Sequence, residues 1–332
     1  MEIEIEIEKI SPKMPDLDVT IAGELNLDLV LYGLPRELPP ERELIASEMM
    51  ITLGGSSAIV AHNLAALGNR VGFISRIGND SLGQIALDRL AEAKVDLSRV
   101  RRSDDETGSG LSVILHHGAS RNILTYLGTI SQLTYADLDI EYVCSARHFH
   151  LSSIFLQAAL RPRIAELFKK LKDAGLTISM DTNDDPDDQW QGLGDVLQYV
   201  DVLLPNEREA LKISGEQELQ RALARLAEIV PLVVVKTGPE GAIAQRGKEQ
   251  FRSPPVEVHA IDAIGAGDSF DAGFITQYIR GADLEHCMAY GNLAGALSVT
   301  KPGGTEAFRD SAYRDQFLRE HNQIKPTASK LR

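Results

Sequence analysis

Asp262-Ala263-Ile264-Gly265-Ala266-Gly267-Asp268-Ser269-Phe270-Asp271-Ala272-Gly273-Phe274-Ile275 is the stretch on which the reading of this chain turns. It follows a strand-like run, Val256-Glu257-Val258-His259-Ala260-Ile261, and it opens a helix. Gly265 and Gly267 let the backbone turn tightly and approach a ligand without a Cβ clash. The free N–H groups of the next helical turn, at the positive end of the helix dipole, suit an anion such as a phosphoryl group. Asp268 places a carboxylate at the same point. A carboxylate beside an anion site serves chemistry better than affinity. It can take the proton of an attacking hydroxyl while the amides of Gly265, Ala266 and Gly267 stabilise charge on a moving phosphoryl group. A Gly-rich turn with Asp268 as helix N-cap accounts for the same residues, and a motif this short does not separate the two readings.

The composition narrows the classes of function. With 332 residues the chain is long for one compact domain, but an α/β fold with an insertion reaches that size. Apolar content of 43% and charged content of 25% are ordinary for a soluble globular protein. A net charge of −14 argues against a nucleic-acid footprint, which needs a basic face. Any phosphate site must then be assembled locally from amides, metal and a few cations. Two cysteines, Cys144 and Cys287, support neither a disulfide framework nor a cysteine zinc site. No apolar run approaches the roughly 18 residues of a membrane span. The start, Met1-Glu2-Ile3-Glu4, lacks the basic and apolar regions of a signal peptide. The expectation is a cytoplasmic protein with no membrane or nucleic-acid partner. Glu2 to Lys9 alternates Glu with Ile, as an edge strand or a solvated tail would.

Working upstream from the central stretch, Asp18-Val19-Thr20-Ile21-Ala22-Gly23 reads as a buried parallel strand leading into Glu24-Leu25-Asn26-Leu27-Asp28. Ligands of open α/β sheets bind at the carboxyl ends of strands, where Asn26 and Asp28 are expected to lie. Two residues apart on extended backbone, they offer an amide and a carboxylate on one side, as hydroxyl-binding groups do. An Asx pair stabilising a turn is the competing reading. Gly54-Gly55 precedes an amphipathic helix from Ser56 that Gly68 closes. Val71 to Asp80 gives the next strand and a loop ending at Gly83. Leu29 to Ile51, with Gly33, Pro35, Pro39 and Pro40, breaks the strand–helix alternation. So does Thr107 to Gly128, around the turn His116-His117-Gly118-Ala119-Ser120. Hairpin-like insertions of this kind suggest a small separate β-sheet.

Further along, Arg147 to Leu151 is a candidate strand followed by Ser152-Ser153. Thr177 to Asp181 is a strand running into the acidic loop Thr182-Asn183-Asp184-Asp185-Pro186. Its carboxylates either hold a magnesium ion through water or are simply solvated. Val200 to Pro205 leads to Asn206-Glu207-Arg208-Glu209, in which Asn206 and Glu209 share a helix face; Asn206 alone also reads as a helix cap. Leu232-Val233-Val234-Val235-Lys236 is a buried strand ending in the Gly-rich loop Thr237-Gly238-Pro239-Glu240-Gly241. Asn292 to Thr300 is a small-residue helix closed by Lys301-Pro302-Gly303-Gly304.

The central stretch resembles the second signature of the ribokinase (PfkB) family of carbohydrate kinases, approximately D-T-x-G-A-G-D, with Ala263 in place of the Thr. Gly54 to Gly68 is similar to the first signature, with Ile59 where the family usually has a sugar-contacting Asn. Asn63, one turn later on the same face, is the expected partial substitute, and an apolar Ile59 suits a less polar substrate edge. Asn26-x-Asp28, Gly78-x-Asp80-x-x-Gly83, Asp181-x-Asn183 and Asn206-x-x-Glu209 match further family elements in the family's order.

The resemblance covers Asp18 to Phe308 and implies a ribokinase-like three-layer α/β/α sandwich with a mostly parallel central sheet and a small β-sheet lid. The implied kinase domain is 18–320, with lid segments at about 29–51 and 107–128, an N-terminal extension 1–17 and a C-terminal tail 321–332. The implied reaction is transfer of the γ-phosphate of ATP to a hydroxyl of a sugar or sugar-like small molecule, with Asp268 as base. The implied substrate residues are Asn26, Asp28, Gly54, Gly55, Asn63 and Asp268. Asn206, Glu209, Lys236, Gly238, Gly241, Gly267 and Asn292 are the implied nucleotide residues. Glu209 is expected to serve Mg2+ through water. The carbonyls of Asp262, Ile264, Ser298, Lys301 and Gly303 match a site for K+, although Ala307 lacks a hydroxyl that some relatives supply. A homodimer through the lid is also implied. Three rival readings stand beside this one: a nucleoside kinase, a phosphosugar kinase with Arg121 as the obvious lid cation, and a non-catalytic sugar- or nucleotide-binding regulator.

Overall fold

The computed structural model describes residues 16–117 and 120–321. The Glu/Ile repeat, the middle of the His116–Ser120 turn and the end of the chain from 322 lie outside them.

Strand β1 (Leu17–Ala22) is followed by β2 (Asn26–Tyr32), β3 (Glu48–Gly54), β4 (Val71–Ile77) and β5 (Asp96–Arg102). Next come β6 (Gly110–His117), β7 (Ser120–Tyr126), β8 (Ala146–Ser152) and β9 (Thr177–Asp181). The last four are β10 (Val202–Leu203), β11 (Leu232–Lys236), β12 (Ala242–Arg246) and β13 (Glu249–Ser253). Among the described residues they form two sheets. The larger has nine strands in the order β13-β12-β11-β10-β9-β8-β1-β4-β5, parallel except for β12 and β13. The smaller has four strands in the order β3-β2-β6-β7.

Parallel strands are covered on both faces, so their apolar runs are continuous and successive side chains serve opposite layers. In β11, Val234 joins one core with Val19, Ile21, Phe73 and Phe274, while Val233 and Val235 join another with Phe149, Phe168 and Ile178. The helices supply matching stripes. Ile164–Asp173 buries Ile164, Leu167, Phe168 and Leu171, one face of a 3.6-residue period. The result is the expected three-layer arrangement with a small extra sheet. Inside β8 and β9 runs a largely buried polar row: His148 sits between the hydroxyls of Thr177 and Ser179, and His150 between those of Ser179 and Ser152. Burial pushes both imidazoles down to about 3, so they are neutral.

Two expectations from sequence are corrected. Val256 to Ile261 is not a strand; residues 254–260 take no regular structure. Pro254 and Pro255 lead into it without N–H donors, and Val256 and Val258 pack against the apolar cluster that includes Leu293, Phe308 and Phe317. The alternation there records contact with helices, not strand pairing. Second, Asn26 and Asp28 do not lie at the end of the first core strand. β1 stops at Ala22, and Asn26 begins β2 of the small sheet, whose partner β3 continues to Gly54. The small sheet is therefore wider than the 29–51 segment anticipated.

Candidate active site

The Gly265 turn sets the geometry. Gly265 is the N-cap of the helix Ala266–Tyr278 and has a φ of 69°, the left-handed region that glycine alone enters freely. A Cβ there would also lie 2.5 Å from the Gly304 Cα. Asp268 sits in the first turn of that helix, three residues past the N-cap Gly265, so the N-cap reading of this carboxylate is excluded. Its side chain is buried, and burial, then the negative charge of Asp181, push its pKa up to about 6. Lys236 and the Ser56 hydroxyl oppose the shift.

Lys236 reaches this turn from the end of β11. A Cβ at Gly267 would have its nearest neighbour in the Lys236 ammonium, 3.4 Å away. Lys236 Nζ donates to Asp181 Oδ2 at 2.7 Å and to both oxygens of Asp271 at 3.2 Å. Burial alone would lower the lysine's pKa, but Asp181, Asp271 and Glu209 outweigh it and hold the ammonium charged. Burial raises Asp271 well above the ordinary carboxylate range against the pull of Lys236.

The small sheet supplies the facing wall. Asn26 Nδ2 donates to the Leu27 carbonyl at 3.1 Å and to Asp28 Oδ1 at 3.3 Å. Burial, then the charge of Asp268, raise Asp28 to about 7, while Ser112, Arg121 and Asn26 act the other way. A Cβ at Gly54 would collide with the Asp28 carboxylate, and one at Gly55 would come within 2.6 Å of Asn26 Oδ1. The diglycine thus leaves room for the two polar side chains. Asn26, Asp28, Gly54 and Gly55 converge as the sequence suggested.

Several residues behave differently from expectation. Asn63 is fully buried; its amide donates to Ser269 Oγ and the Gly304 carbonyl, each at 3.0 Å, and its oxygen meets His62 Nδ1 at 2.8 Å. It ties three segments together and offers nothing to a substrate. Ile59 is no substrate edge either, because its side chain lies under Gly265 and Gly304. Asn292 directs its amide nitrogen to Ser253 and the Pro254 carbonyl, fixing that segment rather than presenting itself to an adenine. The acidic loop is internally engaged: Asp184 pairs with Arg208, Asp188 with Lys212, and Asp185 accepts three backbone N–H groups.

Asn206 and Glu209 satisfy each other in a capping box. Asn206 Oδ1 accepts the Glu209 N–H at 2.9 Å and Glu209 Oε2 accepts the Asn206 N–H at 2.8 Å. An isolated parallel bridge places Asn206 against Lys236. Burial, then Asp181, push Glu209 up to about 7. Gly238 is open on its Cβ side, whereas Gly241 packs on the backbone of Ser253 to Pro255. On the cation side, Gly303 N donates to Asp262 Oδ2 at 3.1 Å, bringing the 262 and 303 segments together.

Further residues, absent from the implied substrate and nucleotide sets, join the site. The buried Glu24 accepts the N–H and hydroxyl of Ser57 at 3.1 and 2.7 Å. Ser153 and Asn183, both with φ of 52°, are joined through Asn183 Oδ1. Such left-handed non-glycine residues concentrate at functional sites. Asp271 carries the only local signal available, an acid within the apolar run Phe270 to Ile275.

The pattern of the pfkB family carbohydrate kinases matches residues 16–310. The 2-dehydro-3-deoxygluconokinase of Bacillus subtilis (strain 168) is 33% identical over 280 residues, which cover 80% of this chain and 86% of its own. The ATP-dependent ribose-1-phosphate kinase of Halopiger xanaduensis is 29% identical, with 87% and 94% of the two chains covered. Among solved structures, a ribokinase II candidate from E. coli in complex with ATP and Mg2+ superposes with a TM-score of 0.78 at 26% identity, covering 92% of this chain and 100% of that one. The two-sheet architecture is thus ribokinase-like, and the chain belongs to the pfkB family of carbohydrate kinases.

Proposed function

We propose that this enzyme transfers the γ-phosphoryl group of ATP to a hydroxyl of a sugar held between β2 and the Gly265–Asp268 turn. The observation that carries the reading is the placement of Asp28 and Asp268, two buried carboxylates close enough for one charge to raise the other's pKa. A hydroxyl lying between them can be held by Asp28 and deprotonated by Asp268. With a pKa near 6, Asp268 is ionised at neutral pH yet more basic than an ordinary carboxylate. The amides of Gly265, Ala266 and Gly267 and the Lys236 ammonium face the transferred group and offset its charge.

The donor set fits the expected cations unequally. No group of three or more His, Cys, Asp or Glu able to hold a metal occurs among the described residues. Glu209, already bonded to Asn206, fits magnesium only through water. Magnesium would therefore arrive on the nucleotide phosphates, whose charge it neutralises. For potassium, the carbonyls of Asp262, Ile264, Ser298, Lys301 and Gly303 are the candidate ligands. The buried hydroxyls of Ser298 and Thr305, both without partners, support a cation in that region.

Glu24, Asn26, Asp28 and Ser112 make the acceptor side polar, which favours a polyhydroxylated acceptor over a nucleobase platform. The small sheet then acts as the lid, and we place a second copy against it. Met49, Ile51, Ile123, Leu124 and Tyr126 are exposed on its edge strands β3 and β7. A cytoplasmic location fits the use of ATP. No helix among the described residues is long and apolar enough to cross a membrane.

The test is an ADP-release screen over pentoses, hexoses, ketosugar acids, phosphosugars and nucleosides. The expected result is one sugar class with turnover far above the ATPase background. Strict preference for nucleosides, or no acceptor at all, would overturn the reading.

A further inference from the structure

Tyr32, the last residue of β2, donates its hydroxyl to Asp262 Oδ2 at 3.0 Å across a sequence separation of 230 residues. Asp262 opens the anion-binding turn. Its Oδ1 accepts the Ile264 N–H at 3.0 Å, and its Oδ2 also accepts the Gly303 N–H at 3.1 Å. One carboxylate therefore joins the small sheet, the Gly265 turn and the Gly303 segment. A second contact runs in parallel: Val30 and Ile114 of the small sheet form an apolar cluster with Ile264, and Tyr32 packs against it. The Tyr32 ring is tilted against His116 at 5.2 Å. Burial, then the charge of Asp262, keep the phenol protonated, so it remains a donor.

We infer that Tyr32 is a positioning residue for phosphoryl transfer: through Asp262 it sets the backbone of the anion-binding turn according to the position of the small sheet. The inference rests on the kinase reading above. Neither residue needs to touch the acceptor. When the sheet carrying Asn26 and Asp28 settles over the acceptor, the Tyr32 hydroxyl and Ile264 seat the turn that must stabilise the transferred group. Misplacement of such a turn by about 1 Å costs roughly 100-fold in rate.

The test is Tyr32→Phe, which keeps the ring and its packing and deletes only the hydroxyl. Asp262→Asn and the double variant complete a cycle. Two readouts are taken: steady-state kinetics with the acceptor found in the screen, and backbone hydrogen exchange of 262–268 without any substrate. We expect Tyr32→Phe to lower kcat by roughly 10- to 100-fold with the KM for ATP within about twofold. We also expect faster exchange confined to 262–268. The double variant should be no slower than the worse single one, as for residues acting as a unit. Unchanged kcat and exchange would overturn the inference. So would faster exchange across β2 and β6 with both KM values raised, which marks a general loosening of the sheet. If the wild-type enzyme phosphorylates no acceptor, the kinase reading fails, and exchange alone decides whether Tyr32 positions the turn.

Discussion

Lys236 Nζ stands 2.7 Å from Asp181 Oδ2 and 3.2 Å from both oxygens of Asp271, so one buried ammonium serves two buried carboxylates. The three groups come from β11, the end of β9 and the Ala266–Tyr278 helix. They join β9 and β11 to the helix that carries Asp268. Removing the cation leaves buried carboxyl groups without their charged partner, which costs about 3–5 kcal/mol. Lys236→Met is expected to lose that much in urea denaturation and to lose most turnover as well. A loss under about 1 kcal/mol would mean the carboxylates find another partner.

Asp268→Asn is expected to cut turnover by roughly 100- to 10,000-fold, the range of a lost general base. ATP binding, measured by calorimetry, should stay close to wild type because the amides of the turn remain. Near-normal turnover in this folded variant would remove Asp268 from the role of base.

Asp28→Ala addresses acceptor binding. A hydroxyl bonded to a carboxylate contributes about 1.5–3 kcal/mol, so the acceptor constant should weaken roughly 10- to 150-fold. The constant for ATP should barely move. A change confined to ATP would place the sugar elsewhere.

Stability should fall on both sides of an intermediate pH. The folded pKa values of Asp28 and Asp268 are raised to about 7 and 6, so their contribution is complete below the ordinary value of 3.8. It is lost as the pH rises through those values. His148 and His150 are lowered to about 3 from 6.5, so their contribution is complete above 6.5 and is lost as the pH falls toward 3. Each such group changes stability by about 1.4 kcal/mol per pH unit within its window. Asp28→Asn should therefore stabilise the fold at pH ~8.5 relative to wild type, and much less at pH ~5. An equal effect at the two pH values would show that Asp28 is not the titrating group.

Turnover should follow the ionisation of Asp268. The value of kcat/KM is expected to rise through about pH 6, since only the carboxylate accepts the proton. A flat profile from pH 5 to 8, in a regime where chemistry limits the rate, would contradict that assignment.

Local chemistry made much of this protein readable in one dimension. Gly265-Ala266-Gly267-Asp268 carries its own conformation, because a left-handed glycine before a helix sets a tight turn followed by free backbone N–H groups. The capping box of Asn206 and Glu209 is similarly local, three residues closing on themselves. Buried runs such as Leu232–Lys236 announced parallel strands, and the breaks after Leu29 and Thr107 announced the small sheet. What depended on distant partners was not readable. Asn63 and Ile59 point into the protein because Ser269 and Gly304 arrive from more than 200 residues away. The alternating Val256 to Ile261 looked like a strand because its contacts on one face have the same period as sheet pairing. The sequence marked Asp28, Lys236 and Asp268 as candidates but did not show how they pair with Asp181 and Asp271. These pairings exist only once the sheet, the helix and the small sheet exclude water between them, since charges in water interact weakly and charges in a shared dry pocket do not.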